Sequence, residues 1–270
     1  MRPGALGDTL LAVPALRALR RQFGPLRLAA NFGAARLLAS LGEVEEGLAF
    51  DDPSLAWLFA DSPKAPGVSP LGEAMSAEKI VAWMQPPQAG TALSHALLVA
   101  PSRPPGEQHC AAYLLESLAP LGVDPSWLDD RPLNLTPIPS DEVLIHPGSG
   151  STRKNWPAMR FAETIRALDR PVRLIVGEAD ASAAEAVEAC LGYSLPRLTN
   201  VPLEELAARL AGCYAYVGND SGVSHLAGLC GARTVVLFGP TSPAVWHPLG
   251  QQVHVRNFAT SSAEIADLLA

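Results

Sequence analysis

The amino-acid sequence predicts an α/β fold of two consecutive domains, each built around a parallel β-sheet. Short apolar runs alternate with amphipathic helical segments, which is the pattern of βαβ units. The alternation stops at the proline-rich residues 129–141 and then restarts, as expected of a linker between domains. The length of 270 residues suits one large domain or two modest ones. We therefore expect domains at residues 1–135 and 136–270.

Composition narrows the class of protein. With 48% hydrophobic and 17% charged residues, the chain is globular. A net charge of −7, spread over both halves, argues against a nucleic-acid partner. The four cysteines are far apart and match no metal-ligand or disulfide pattern, so we expect no bound metal and a reducing, cytoplasmic compartment. The apolar run at residues 10–16 resembles part of a signal peptide, but the flanking Asp8 and the internal Pro14 favour a surface helix.

The first half begins with a predicted helix at residues 8–23, where apolar positions face one side and arginines another, and which a Gly-Pro pair ends. Apolar runs between turn signals then predict strands, and amphipathic segments predict helices. These elements are strands at 26–32, 47–50 and 95–100 and helices at 35–41 and 107–121. Residues 51–90, rich in Pro, Gly and Ala, give no clear prediction.

The second half shows the same alternation more clearly. Its predicted strands are 143–146, 172–176, 215–217 and 234–238, and its predicted helices are 157–168, 181–190, 203–211 and 223–229. Small polar residues follow the strands that end at 146, 217 and 238. Because open α/β sheets bind ligands outside the carboxyl ends of their strands, we expect the site at this edge.

The densest polar loop runs from His146 to Pro157, with the sequence HPGSGSTRKNWP. Its glycines allow backbone N–H groups to approach an anion, its hydroxyls add donors, and Arg153 and Lys154 supply positive charge. Few of the basic residues are lysines, which suggests that Lys154 is needed as a compact charge. We interpret the loop as a diphosphate site, with a polar loop of solvated charges as the alternative. Neither a GxGxxG fingerprint nor a P-loop is present.

The second polar loop runs from Gly218 to His225, with the sequence GNDSGVSH. Asp220 or Ser221 is expected to cap the following helix, and the same backbone donors would hold a phosphate or sugar hydroxyls. His225 lies about one turn into that helix, where a ligand contact and a structural histidine fit equally well.

The third polar segment is the N-terminal RPGALGD at residues 2–8. Gly4 and Gly7 would allow the backbone to approach a ligand closely, and Asp8 falls at the start of the first helix. A carboxylate there is either a plain N-cap or a base that takes a proton from an attacking hydroxyl.

These three segments, in this order and with FGPT at residues 238–241, resemble glycosyltransferase family 9, the ADP-heptose:lipopolysaccharide heptosyltransferases. The resemblance implies a GT-B fold, in which two Rossmann-like domains face each other across a cleft. It implies inverting, metal-independent transfer of a heptose-like sugar from a nucleoside diphosphate donor, ADP-linked in the family, with no cofactor. The implied acceptor is lipopolysaccharide or another glycan or glycolipid. The implied location is the cytoplasm, with peripheral contact at the inner face of the inner membrane.

The resemblance also assigns roles to residues of this sequence. Asp8 matches the general base, and Gly4 and Gly7 lie on the acceptor side of the cleft. On the donor side, Lys154 matches the lysine that binds the diphosphate, and Ser149 and Ser151 are its neighbours. The segment around the donor sugar and phosphates is matched by four residues: Asp220, Ser221, Gly222 and His225. The family's carboxylate on the donor ribose has no secure counterpart, and Glu178 is the candidate.

One departure from the family pattern affects the first domain. Family members usually carry a short apolar strand ahead of the glycine-rich turn, whereas here the turn begins at residue 2. We therefore expect the first domain to lack its first strand, and the true start of the protein to lie upstream of Met1. Two other functions stay open: a degenerate nucleotide-sugar-binding protein without turnover, and a GT-B sugar-nucleotide epimerase that needs no acceptor.

Overall fold

The computed structural model describes residues 1–53, 55, 80–85 and 97–270. The chain divides into a first unit, residues 1–129, and a second unit, residues 130–270. The division falls at the start of the proline-rich stretch in which the sequence predicts a linker. Every helix among the described residues is too short or too polar to span a bilayer.

The first unit contains short parallel strands and four helices among its described residues. The strands are β1 (Arg27–Ala30), β2 (Glu46–Ala49), β3 (Val81–Trp83) and β4 (Leu98–Ala100). The helices are α1 (Leu6–Leu10), α2 (Val13–Phe23), α3 (Phe32–Ser40) and α4 (Cys110–Glu116). β1 pairs with β2, and β3 pairs with β4, each in parallel register.

Met1 and Arg2 lie between the two strand pairs. The Arg2 N–H donates to Ala29 O at 2.9 Å, and the Trp83 N–H donates to Met1 O at 3.0 Å. Arg2 also forms an isolated parallel bridge with Ala30. Within the described part of this unit, only this isolated bridge precedes α1, in agreement with the prediction that a first strand is lacking.

Several boundaries predicted for the first unit are wrong. The predicted helix at 8–23 is two helices, because Pro14 lies in the first turn of α2, where it has no N–H to donate to the preceding turn. The strand predicted to reach residue 32 ends at Ala30, since the Asn31 side chain accepts the Ala34 N–H at 3.1 Å and caps α3.

The other differences concern the later part of the first unit. The helix predicted at 107–121 is the shorter α4, followed by a 3₁₀ turn at Ala119–Leu121 that contains a proline. β3 falls within the residues that gave no clear prediction. Residues 95 and 96 of the predicted strand 95–100 lie outside the described residues.

The second unit is built on a six-stranded parallel sheet. Its strands are β5 (Val143–His146), β6 (Val172–Val176), β7 (Arg197–Thr199), β8 (Ala215–Asn219), β9 (Thr234–Phe238) and β10 (Val253–Asn257). Its helices are α5 (Ala158–Ala167), α6 (Ala181–Leu191), α7 (Leu203–Gly212), α8 (Gly222–Leu229), α9 (Pro243–Trp246) and α10 (Ser262–Leu269). The strand order β10-β9-β8-β5-β6-β7 is that of the doubly wound Rossmann fold.

The apolar strands predicted for the second unit are present because they are buried in the middle of its sheet. Fully buried side chains of β5, β6, β8 and β9 pack with α5, α6 and α10 in one core. The sequence did not predict β7, β10, α9 or α10. β10 is an edge strand whose His254 and Asn257 are exposed, so it lacks the apolar run of a central strand.

Candidate functional site

The candidate site lies at the switch point of the six-stranded sheet, between β5 and β8. From β5 the chain winds outward through β6 and β7, whereas from β8 it winds the opposite way through β9 and β10. The loops after β5 and β8 therefore diverge and leave a crevice outside the carboxyl ends of the two strands, where doubly wound sheets bind ligands. β5 ends at His146 and β8 ends at Asn219.

The loop at residues 147–157 is tied at both ends to β8 by one side chain. Asn219 is fully buried, and its Nδ2 donates to Pro147 O at 2.8 Å while its Oδ1 accepts the Trp156 N–H at 2.8 Å. Trp156 is itself buried, and its indole N–H donates to Phe258 O at 3.2 Å. The ends of the loop are thus fixed, and its middle presents the polar side chains predicted to bind a ligand.

Replacing Asn219 by alanine is expected to destabilise the protein by about 2–4 kcal/mol, because it leaves a buried N–H and a buried carbonyl without their partners. Chemical denaturation measures this difference. Asn257→Ala is the matched control, since Asn257 is exposed and, among the described residues, its side chain accepts only the Ala259 N–H. The control should change stability by less than about 0.5 kcal/mol. Equal effects of the two substitutions would contradict the role given to Asn219.

Two residues predicted to bind the donor are in direct contact. Lys154 Nζ donates to Asp220 Oδ2 at 2.7 Å, and the Thr241 hydroxyl donates to the same oxygen at 2.7 Å. The Lys154 side chain is 31% exposed, whereas that of Asp220 is 6% exposed. The ammonium therefore reaches solvent while its partner carboxylate is buried, and it retains further N–H donors for an anion.

Helix α8 begins directly beside this ion pair. Ser221 is its N-cap, and its Oγ accepts the Ser224 N–H at 3.5 Å, so Ser221 rather than Asp220 caps the helix. Gly222 is the first helical residue and is half-buried. His225 lies one turn in and is buried, with its backbone N–H donating to Ser221 O at 3.3 Å.

The remaining predicted donor residues differ in their surroundings. The Ser149 hydroxyl lies 2.7 Å from both Asn155 Oδ1 and Ser151 O and so holds the middle of the loop. Ser151 is exposed on the same loop. Glu178 is exposed on the loop after β6, and within the described part of the chain it has no hydrogen bond or ion pair with the other predicted donor residues.

The loop after β6 contributes a different carboxylate, Asp180, which was not among the residues predicted from the sequence. Its Oδ2 accepts from His146 Nε2 at 2.9 Å and from the Gly177 N–H at 3.2 Å. The hydrogen bond from His146 lowers the pKa of Asp180 from its usual value, although burial acts to raise it. Its position before α6, at the same sheet edge as the predicted loops, is the signal that could have identified it.

The residues predicted for the acceptor side lie in the first unit. Ala5 is the N-cap of α1, and Asp8 lies in the first turn, where its Oδ2 accepts the Ala5 N–H at 3.0 Å. Its Oδ1 is 3.4 Å from Nη2 of the buried Arg2, and 26% of its side chain is exposed. Gly4 has φ +141°, and a side chain there would meet the Asp8 carboxylate at 2.7 Å. Gly7 is buried within α1.

The fold and the site define a doubly wound α/β domain in which a lysine-bearing loop and a helix N-terminus meet at the switch point, where such sheets bind ligands. The sequence profile of Glycosyltransferase family 9 (heptosyltransferase) matches residues 128–265. The chain therefore belongs to glycosyltransferase family 9, as its motifs predict.

Relatives of known sequence agree with this assignment. Lipopolysaccharide heptosyltransferase 1 of Pseudomonas aeruginosa is 35% identical over 150 residues, which are 53% of this chain and 40% of that protein. Lipopolysaccharide heptosyltransferase 2 of Salmonella typhimurium is 30% identical over 115 residues, which are 40% of this chain and 33% of that protein. The matched stretches thus span less than half the length of these relatives.

Solved structures share the fold over nearly the whole chain. A family 9 glycosyltransferase from Veillonella parvula matches with a TM-score of 0.76 at 17% identity, covering 99% of this chain and 95% of that one. The E. coli heptosyltransferase WaaC, solved with ADP, matches with a TM-score of 0.69 at 17% identity, covering 99% of this chain and 97% of that one. These matches confirm the predicted GT-B fold.

Proposed function

We propose that this protein is an inverting glycosyltransferase that moves a heptose-like sugar from an ADP-linked donor to lipopolysaccharide or another glycan acceptor. The observation that carries the proposal is the Lys154–Asp220 pair beside the N-terminus of α8, at the ligand-binding edge of the sheet. A partly exposed lysine and a helix N-terminus together suit a diphosphate. The solved WaaC structure contains ADP, and the relatives are named lipopolysaccharide heptosyltransferases, which supports this donor and acceptor.

On the donor side, the bond between the sugar's anomeric carbon and the β-phosphate oxygen breaks, and the departing phosphate keeps the electron pair. We assign Lys154 and the backbone N–H groups at the start of α8 to stabilising this charge, with the exposed hydroxyl of Ser151 as a further donor. The hydroxyl of Ser149 donates within the loop and so shapes the site. Lys154 and these N–H groups supply the positive potential that a metal ion provides in other transferases. Metal-independent transfer is therefore part of the proposal.

On the acceptor side, the attacking hydroxyl must lose a proton as its oxygen bonds to the anomeric carbon. We assign Asp8 as the base that accepts this proton, since its carboxylate reaches solvent from the first turn of α1. Direct attack opposite the leaving phosphate inverts the anomeric configuration. With a glycolipid acceptor, the reaction would take place at the inner face of the inner membrane.

A transfer assay tests the proposal. The protein is incubated with ADP-heptose and an inner-core lipopolysaccharide acceptor, once with EDTA and once with magnesium. We expect ADP release that requires the acceptor and that EDTA does not reduce. Binding of ADP-heptose with no release of ADP would favour a binding protein without turnover. Conversion of ADP-heptose in the absence of an acceptor would favour an epimerase. Either result would contradict the proposal.

A further inference from the structure

The side chain of His146 is buried at the end of β5 and is hydrogen-bonded on both sides. Its Nε2 lies 2.9 Å from Asp180 Oδ2, and its Nδ1 lies 3.2 Å from Ser221 Oγ. The residue is 3% exposed. One imidazole ring thus connects the ends of three loops, those that follow β5, β6 and β8.

The contact with Asp180 fixes the role of one ring nitrogen. An ionised carboxylate only accepts hydrogen bonds, so His146 Nε2 donates to Asp180. On the other side of the ring, Nδ1 contacts the Ser221 hydroxyl, whose oxygen also accepts the Ser224 N–H. The imidazole therefore joins the Asp180 carboxylate to the residue that caps α8.

The same residue types form the triad of serine hydrolases, but the geometry here differs. In the hydrolases the serine contacts Nε2 and the aspartate contacts Nδ1, whereas here the two contacts are exchanged. Ser221 is also buried and serves as the N-cap of α8. The hydroxyl is thus used to hold a helix end and is not presented as a nucleophile.

The arrangement links His146 to both elements proposed to bind the diphosphate. Through Ser221 it fixes the start of α8. Through Asp180 it supports the lysine loop, because a Cβ at Gly148 would overlap the Asp180 carboxylate, so this loop backbone lies directly on that side chain. Displacing the ring would therefore move the N-terminus of α8 and the loop that carries Lys154 relative to each other.

We infer that His146 is a positioning residue of the donor site, which sets the geometry of the diphosphate-binding groups through its bonds to Asp180 and Ser221. The inference rests on the proposed function for the identity of the ligand. It predicts that loss of the ring weakens donor binding even where the protein remains folded.

The test is the dissociation constant for ADP, measured by calorimetry well below the melting temperature of each variant. His146→Phe removes both hydrogen bonds and should weaken ADP binding by about tenfold or more. His146→Gln can still donate to Asp180 and should recover a large part of this loss, because the bond to the carboxylate is the stronger of the two. His254→Phe, on the exposed edge strand, is the matched control and should bind ADP like the wild type.

Kinetics and spectroscopy separate positioning from a purely structural role. In the transfer assay His146→Phe should raise the donor KM and change kcat little, whereas a purely structural role lowers the melting temperature and leaves the ADP dissociation constant unchanged. Nitrogen-15 NMR of labelled histidine in the wild-type protein should show that Nε2, the nitrogen that donates to Asp180, is protonated, and this measurement needs no variant to fold.

The outcomes distinguish this inference from the proposed function. Wild-type binding of ADP together with unaltered binding by His146→Phe, or an unprotonated Nε2, would overturn the inference alone. A wild-type protein that binds no ADP would overturn the proposed function and the donor role of His146 with it.

Discussion

Replacing Asp8 by asparagine is expected to lower the rate of sugar transfer by about 10²–10⁴-fold, which is the usual contribution of a general base. Asparagine keeps an oxygen that can accept the Ala5 N–H and cap α1, but it cannot take the proton of the acceptor hydroxyl. Binding of ADP should stay within about twofold of wild type, because the groups assigned to the diphosphate lie in the second unit. The measurement is the initial rate of acceptor-dependent ADP release.

Asp124→Asn is the matched control for this prediction. The Asp124 carboxylate likewise accepts a backbone N–H, that of Ser126 at 2.8 Å, but it lies outside the family motifs. The control should transfer at the wild-type rate. Because Asp8 also pairs with the buried Arg2, melting temperatures are recorded for both variants. A folded Asp8→Asn variant that transfers at the wild-type rate would remove Asp8 as the base.

Replacing Lys154 by methionine is expected to weaken ADP binding by about 10–100-fold, because charge-assisted hydrogen bonds contribute about 1.5–3 kcal/mol. Methionine keeps much of the length of the side chain and removes its charge. Arg153→Met is the matched control, since Arg153 is the adjacent cation but is exposed. The control should leave ADP affinity within about threefold of wild type. Equal losses of ADP affinity in both variants would show that ADP binding depends on the net charge of the loop and not on Lys154 in particular.

A second substitution tests whether Lys154 serves only as the counter-ion of Asp220. If the lysine merely neutralises the buried carboxylate, the double variant Lys154→Met/Asp220→Asn should regain both stability and ADP binding. If Lys154 binds the diphosphate, the double variant should regain stability but not affinity. Asp220→Asn alone should then bind ADP at least as tightly as wild type, because it removes an anion that competes for the lysine.

The site loops of the second unit could be predicted because the central strands are distinctive. β5, β8 and β9 are buried on both faces and read as apolar runs, and the carboxyl ends of parallel strands share one edge. The apolar strands therefore predict that Lys154 and Asp220 lie on that edge. They do not predict that the two residues are in contact, because these are 66 positions apart and only the strand order brings their loops together.

The roles of His146 and Asp180 could not be predicted for the same reason. Glu178 and Asp180 both follow a buried strand, and the sequence does not show which of them turns towards β5. In the first unit, the break at Pro14 depends on where α1 ends, and β1 stops early because Asn31 caps the next helix. Short strands of three or four residues give little apolar pattern, so their ends are decided by such local hydrogen bonds.

A crystal structure of the protein with ADP would locate the diphosphate itself. We expect it at the switch point, with a phosphate oxygen about 2.7–3.2 Å from Lys154 Nζ and from a backbone N–H at the start of α8. The opposite edge of the sheet carries a cavity lined by residues that include Ile138, Glu142 and Arg209. Ordered ADP in that cavity, or anywhere away from Lys154, would show that Lys154 and the start of α8 do not form the diphosphate site.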